Sequence, residues 1–206
     1  MNELFTALPA RSGLPFRPRG VMPPRSRRFR SETGFECFVT PEAVESLVEG
    51  TRLARPNEAF ALLFGRAFHD DAGEYTVVTG AHHPTSFTRG PARVELSPAE
   101  AATARAEGSR RFPAEDAVGW AHSHALDSGY SPTDREEQRT WPGRYHVGIL
   151  TFMTASLQLR VYHGPSSAPM AELVAPQRLD EGPCWVTGWD RAWCDCPACT
   201  HRRTTG

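Results

Sequence analysis

Lysine is absent from this chain of 206 residues, in which all 23 basic residues are arginine. Isoleucine and asparagine are also scarce, and Ile149, Asn2 and Asn57 are their only examples. A GC-rich genome would deplete all three amino acids together, and we favour that explanation. The alternative is selection against acceptor amines in a protein that works beside a lysine-modifying system.

Long apolar stretches are absent as well. No run of about 18 apolar residues occurs, which excludes a transmembrane helix. The first residues, MNELFTALPARSG, lack the basic-then-apolar order of a secretory signal peptide, so we expect a cytoplasmic location and no membrane partner. The formal net charge of −1 excludes a global attraction to nucleic acid.

The charge that is present is unevenly distributed. Residues 1–34 hold seven arginines against Glu3 and Glu32, and they show little apolar periodicity. This composition predicts a flexible basic arm. We expect one folded domain over residues 35–163, followed by a Cys-rich C-terminal extension over residues 164–206.

Alternating helix and strand patterns predict a mixed α/β class. Thr40-Pro41 and Ser97-Pro98-Ala99-Glu100 are typical helix starts, the second of them a capping box. The run over residues 59–64 is apolar throughout and predicts a buried strand. We expect helices over 40–50, 98–111 and 132–141, and strands over 35–39, 59–64, 75–79, 93–96, 117–122, 146–152 and 157–162.

The pattern with the clearest chemistry is His122-Ser123-His124 at the end of a predicted strand. Residues i and i+2 of a strand point to the same face, so both imidazoles project together. Asp134 follows ten residues later, at the third helical position after the N-cap Ser131. Two histidines and one carboxylate form the three-ligand set of a hydrolytic zinc site, which keeps a fourth position for water.

Each part of this pattern has a simpler explanation. Two histidines at a strand end can be packed, hydrogen-bonded side chains, and Ser131 with Asp134 forms a good N-cap without any metal. Their joint occurrence at this spacing is what favours a metal site.

The motif H-x-H, a short loop and S-x-x-D resembles the signature of the JAMM (MPN-plus) metalloproteases. Pro56, Glu58 and Gly65 match a second family motif on an early strand, and the resemblance covers roughly residues 35–163. The loop between His124 and Ser131 holds six residues, one fewer than is commonest in the family. The resemblance implies an MPN/JAB fold, which is cytidine-deaminase-like, with a curved mixed β-sheet flanked by helices.

The resemblance also implies roles for individual residues. His122, His124 and Asp134 would bind Zn²⁺, and Glu58 would be the general base that later protonates the leaving amine. Ser131 would donate a hydrogen bond to the developing oxyanion. A simpler explanation of Glu58 is an exposed first residue of a strand.

A second metal-like cluster lies near the C-terminus. Cys194, Cys196 and Cys199, with His201 or Cys184, have spacings compatible with a structural zinc site. A cysteine-bearing tail without metal explains the same residues, and we leave the two open.

These features together predict a zinc-dependent metalloprotease or isopeptidase that acts on a ubiquitin-like protein or its conjugates. Modifier recycling, antiphage defence and the processing of a sulfur-carrier-type ubiquitin-like protein are the contexts that the resemblance implies. One rival is a catalytically silent scaffold domain. The other is a nucleic-acid-binding protein that uses the basic arm, in which only Phe16 and Phe29 interleave the arginines.

Overall fold

The computed structural model describes residues 13–23, 25–85, 87–90, 93–125, 128–141, 143–153 and 157–173. A short 3-10 turn at Arg19–Val21 precedes the first strand. The helices are α1 (Pro41–Ala54), α2 (Pro98–Arg111) and α3 (Pro132–Arg139). The strands are β1 (Arg27–Ser31), β2 (Glu36–Val39), β3 (Phe60–Asp70), β4 (Gly73–His82), β5 (Thr88–Gly90), β6 (Arg93–Glu95), β7 (Asp116–Ser123), β8 (Val147–Met153), β9 (Leu157–His163) and β10 (Ala168–Glu172).

Eight strands close into a mixed barrel in the order β1-β10-β9-β8-β7-β3-β4-β2. The pairs β2/β4 and β7/β8 are parallel, and the other neighbours are antiparallel. β5 and β6 form a separate two-stranded sheet. The prediction of an MPN/JAB-type curved sheet flanked by helices is therefore wrong, because the sheet closes on itself and forms a barrel.

Closure depends on two strands that lie outside the predicted domain range of 35–163. Phe29 of β1 pairs with Cys37 of β2 on one side and with Glu172 of β10 on the other. The side chains of Phe29 and Ser31 are buried while Arg28 and Arg30 face outward. Arg27–Ser31 is thus an ordered barrel strand rather than part of a flexible arm, and the extension from residue 164 contributes β10.

The barrel core consists mostly of small and branched apolar side chains, and one face of α1 packs into it. Thr40 caps α1, whose Ala43 N–H donates to Thr40 Oγ1 at 3.4 Å. The helix continues through Gly50, where we expected it to end. A Cβ at this position would lie 2.0 Å from the His83 ring, so the glycine makes room for that ring and does not end the helix. The core includes Cys37, Val39, Ala43, Leu47, Ala61, Leu63, Val78, Val118, Ala121, Val147, Ile149 and Val161.

A second core lies between α2 and the outer face of the barrel. The outward-facing Phe60, Leu62 and Phe64 of β3 pack there with Ala101 and Ala104 of α2. Because residues 60–64 of β3 are buried on both faces, their sequence is apolar without alternation, as predicted. Among the described residues, no helix is long and apolar enough to cross a membrane.

Candidate metal centre

His122 and His124 lie where β7 ends, between two neighbouring strands. His122 pairs with Phe60 of β3 on one side and with Leu150 of β8 on the other. The His124 N–H donates to the Thr151 carbonyl at 2.9 Å, which extends the pairing by one residue past β7. Both imidazoles therefore stand on one face, at positions fixed by the two flanking backbones.

Asp134 reaches the same point from the first turn of α3. The side chain of Ser131 accepts a hydrogen bond from Asp134 N–H at 3.2 Å, and Ser131 N–H donates to Asp134 Oδ2 at 2.7 Å. This reciprocal capping box orients the carboxylate toward the strand end. Asp134 belongs both to the capping box of α3 and to the histidine cluster. The helix-capping and metal-site interpretations of the sequence are therefore compatible.

The three side chains converge on one point. His122 Nε2 lies 3.0 Å from His124 Nε2 and 3.2 Å from Asp134 Oδ1, and His124 Nε2 lies 3.6 Å from Asp134 Oδ2. Burial raises the pKa of the Asp134 carboxyl. Hydrogen bonds from both imidazoles and from the Ser131 N–H outweigh this effect of burial and hold the pKa of Asp134 well below its usual range. The carboxylate is therefore ionised at any physiological pH.

This group could hold a metal ion. One donor atom from each of the three residues lies within 4.8 Å of the others, and His122 and Asp134 are buried. The donor set of two imidazole nitrogens and one carboxylate oxygen suits a transition-metal ion. Ser128 Oγ lies 2.6 Å from His124 Nδ1, so the second ring nitrogen has the outer partner that metal-binding histidines usually have.

Glu58 stands beside this cluster, on the segment that leads into β3. Its N–H donates to the Gly90 carbonyl of β5 at 2.9 Å, and only 9% of the residue is exposed. Burial raises the pKa of Glu58 to about 7; the charge of His124 opposes this rise and that of Asp134 adds to it. Glu58 is thus a buried carboxyl near its titration point at neutral pH, rather than an exposed strand residue.

Aromatic side chains pack against His122, and we did not predict these contacts from the sequence. The Trp120 ring stacks on His122 with centroids 5.1 Å apart, and the Tyr130 ring is tilted against it at 5.7 Å. Tyr130 in turn stacks on Tyr162 at 3.8 Å. The contact between Trp120 and His122 could have been predicted, because Trp120 precedes His122 by two residues and lies on the same face of the strand.

The second predicted metal cluster belongs to the C-terminal extension. Cys184, Cys194, Cys196, Cys199 and His201 lie outside the described residues.

Comparisons with known proteins give no family for this chain. No protein-family profile matches it, and no curated protein matches it. The solution structure of protein DSY2949 from Desulfitobacterium hafniense is similar over 65% of this chain and 87% of that chain, at 21% identity and a TM-score of 0.49. A similarity this low carries no argument about function.

Proposed function

We propose that the protein is a zinc-dependent hydrolase of peptide or isopeptide bonds. The observation that carries the proposal is the convergence of His122, His124 and Asp134 beside the buried carboxyl of Glu58. Three protein ligands with a nearby base of suitable pKa is the composition of a hydrolytic site rather than of a closed structural site. The resemblance of the H-x-H and S-x-x-D motifs to the JAMM metalloproteases supports the same proposal.

Zinc is the metal that we propose for the cluster. Two imidazoles and one carboxylate are a usual catalytic zinc set, and no thiolate joins them among the described residues. A zinc ion bound by three protein ligands keeps one position for water and lowers the pKa of that water to about 7. The chain's own groups then handle the proton and the carbonyl oxygen.

Glu58 is the proposed general base. A carboxyl with a pKa of about 7 is partly ionised at neutral pH, so it can take a proton from the attacking water. The same carboxyl, once protonated, gives that proton to the leaving amine nitrogen. Its position is held by the hydrogen bond from its own N–H to the Gly90 carbonyl.

Ser131 is the proposed donor to the oxygen of the scissile carbonyl. Capping of α3 uses an oxygen lone pair of Ser131, which accepts the Asp134 N–H. A hydroxyl also carries one hydrogen, which capping does not engage. The hydroxyl can therefore donate to the developing oxyanion while it continues to cap the helix.

The substrate that we propose ends in an extended tail, as ubiquitin-like modifiers do. Extended peptides are commonly held as an added strand through main-chain hydrogen bonds. The closed barrel offers no edge for such pairing, whereas the two-stranded sheet of β5 and β6 does. β5 contacts the Glu58 segment directly through Gly90, so a strand added to this small sheet would end near the cluster.

The test uses the zinc-loaded full chain and a ubiquitin-like modifier joined through its C-terminal Gly-Gly to a fluorescent amine. We expect release of the amine by the wild type and a loss of about 10²–10⁴ in rate for Glu58→Gln. Glu45→Gln, an exposed position on α1, is the matched control and should retain the wild-type rate. Equal rates for all three proteins, or no release by the wild type, would overturn the proposal.

A further inference from the structure

Four buried polar atoms behind His122 make no hydrogen bond of ordinary geometry within the described part of the chain. They are His122 Nδ1, Trp120 Nε1, Tyr130 Oη and Gln138 Oε1. Buried polar groups are nearly always paired, so several unpaired atoms beside one site call for an explanation. The donor and acceptor chemistry of these atoms supplies one.

Gly164 fixes the direction of hydrogen bonding at one end of this group. Gln138 Nε2 donates to the Gly164 carbonyl at 2.7 Å. A carbonyl can only accept, so the amide nitrogen must face Gly164, and Oε1, an acceptor, must face the opposite way. Gln138 is fully buried, which leaves its side chain no alternative contact with solvent.

The Tyr130 hydroxyl lies beside that acceptor, over Gly148 of β8. A Cβ built on Gly148 would lie 1.9 Å from Tyr130 Oη and 2.4 Å from Gln138 Oε1, so the glycine leaves room for both atoms. The Trp120 indole also interacts with this hydroxyl, and because an indole can only donate, it faces the hydroxyl oxygen. The hydroxyl hydrogen can therefore be donated to Gln138, and the oxygen keeps a second lone pair that can accept.

His122 is the residue that needs this acceptor. When its Nε2 binds a cation, Nδ1 carries the hydrogen and must donate it. Three rings contact His122, namely those of Trp120, His124 and Tyr130. An indole can only donate, and His124 Nδ1 is engaged by Ser128, so among these three rings the Tyr130 hydroxyl is the group that can accept.

We propose that Tyr130 is a positioning residue of the metal centre. Its hydroxyl accepts the Nδ1 hydrogen of His122 and donates its own hydrogen to Gln138 Oε1. The chain from the Gly164 carbonyl through Gln138 and Tyr130 then selects the His122 tautomer whose Nε2 lone pair faces His124 and Asp134. This inference rests on the proposed function only in taking His122 as a zinc ligand through Nε2.

The substitution Tyr130→Phe tests the proposal, because it keeps the ring stacked between His122 and Tyr162 and removes only the hydroxyl. Tyr162→Phe is the matched control, since the hydroxyl that it removes accepts the Tyr130 N–H at 3.1 Å and is not aimed at the histidine. Zinc affinity is measured on the full chains by competition with a chromophoric chelator. The His122 Nδ1 proton of the zinc-loaded proteins is followed by nuclear magnetic resonance.

We expect Tyr130→Phe to weaken zinc binding about 10- to 100-fold and to shift the Nδ1 proton upfield with faster solvent exchange. Tyr162→Phe should leave both unchanged. Equal affinities for Tyr130→Phe and the wild type, or equal losses in both variants, would overturn the positioning role. Should Tyr130→Phe not fold, a wild-type Nδ1 proton that exchanges rapidly with solvent would overturn it without any variant.

The proposed function fails separately. If the wild type binds zinc through this network yet releases no amine from the modifier substrate, the hydrolase proposal is overturned and the positioning role stands. If the wild type binds no zinc, both are overturned.

Discussion

Ala59 and Ser123 are joined by two hydrogen bonds. The Ala59 N–H donates to Ser123 Oγ at 2.7 Å, and the Ser123 N–H donates to the Ala59 carbonyl at 3.1 Å. Glu58 precedes Ala59 and His124 follows Ser123 on antiparallel segments, so this double link sets Glu58 opposite His124. The middle residue of the H-x-H motif thus connects the two halves of the site.

The first prediction concerns this link. Ser123→Ala removes one buried hydrogen bond, which should lower the free energy of unfolding by about 1 kcal/mol. It should also loosen Glu58 and reduce the hydrolysis rate about 10- to 100-fold, with zinc content unchanged. Ser46→Ala is the control, because Ser46 Oγ donates to the Ala81 carbonyl away from the site. Equal rates in the two variants would show that Ser123 has no part in placing Glu58.

The second prediction concerns the metal ligands. His122→Ala and Asp134→Asn should each reduce bound zinc from about one equivalent to near zero. Asparagine keeps an oxygen that accepts the Ser131 N–H, so Asp134→Asn retains the helix cap while it loses the charge. His69→Ala, at the other end of β3, should keep its zinc.

Elemental analysis measures the result. It should be done in a chain whose Cys184, Cys194, Cys196 and Cys199 are replaced by serine, so that only the core site is counted. Zinc retained by both ligand variants would exclude this cluster as the binding site.

The local sequence predicts the grouping of His122, His124 and Asp134 and most of the helices and strands, because the relevant signals are local. The caps at Thr40, Ser97 and Ser131 are where the sequence indicates, and each is followed by proline at the first helical position. Asp134 falls on the cap that orients it. These features require only a few neighbouring residues.

Barrel closure was not predictable in this way. β1 contains three arginines in five residues, which is typical of a solvated arm. Arg27 instead pairs with Glu172 at 2.6 Å, and Arg28 pairs with the buried Glu36 at 2.7 Å. The first pair joins residues 145 positions apart, so no local pattern reveals it. The arginines of β1 therefore form the outward face of a strand and pair with acidic residues, so their charge does not indicate an unstructured arm.

The third prediction is a pH dependence of stability that originates at Glu58. Its pKa is about 7 in the folded protein against a usual 4.5, so between those values the folded chain binds more protons than the unfolded chain. The free energy of unfolding therefore falls as pH rises through this window. Above pH 7, metal-free Glu58→Gln should be more stable than the wild type by about 1–3 kcal/mol.

Denaturant unfolding of both proteins at several pH values measures this difference. It should vanish below the usual glutamate pKa, where the wild-type carboxyl is protonated in both states. A difference that stays constant with pH would mean that the Glu58 pKa is not raised. Zinc should reduce the effect, because a nearby cation favours the ionised carboxylate.

The last prediction separates the two roles of Ser131 with a control that the chain itself provides. Ser131 and Ser97 cap their helices through the same capping box, each followed by proline and by an acidic residue at the third helical position. Ser131→Ala and Ser97→Ala should therefore each cost about 1 kcal/mol of stability. Only Ser131→Ala should also lose about 10²–10³ in kcat, because it alone removes a donor to the oxyanion. Zinc content should equal that of the wild type in both, since each variant keeps all three ligands. Chemical denaturation, elemental analysis and turnover of the modifier substrate together decide the matter. If both variants lose the same stability and both turn over at the wild-type rate, Ser131 is a helix cap without a catalytic role.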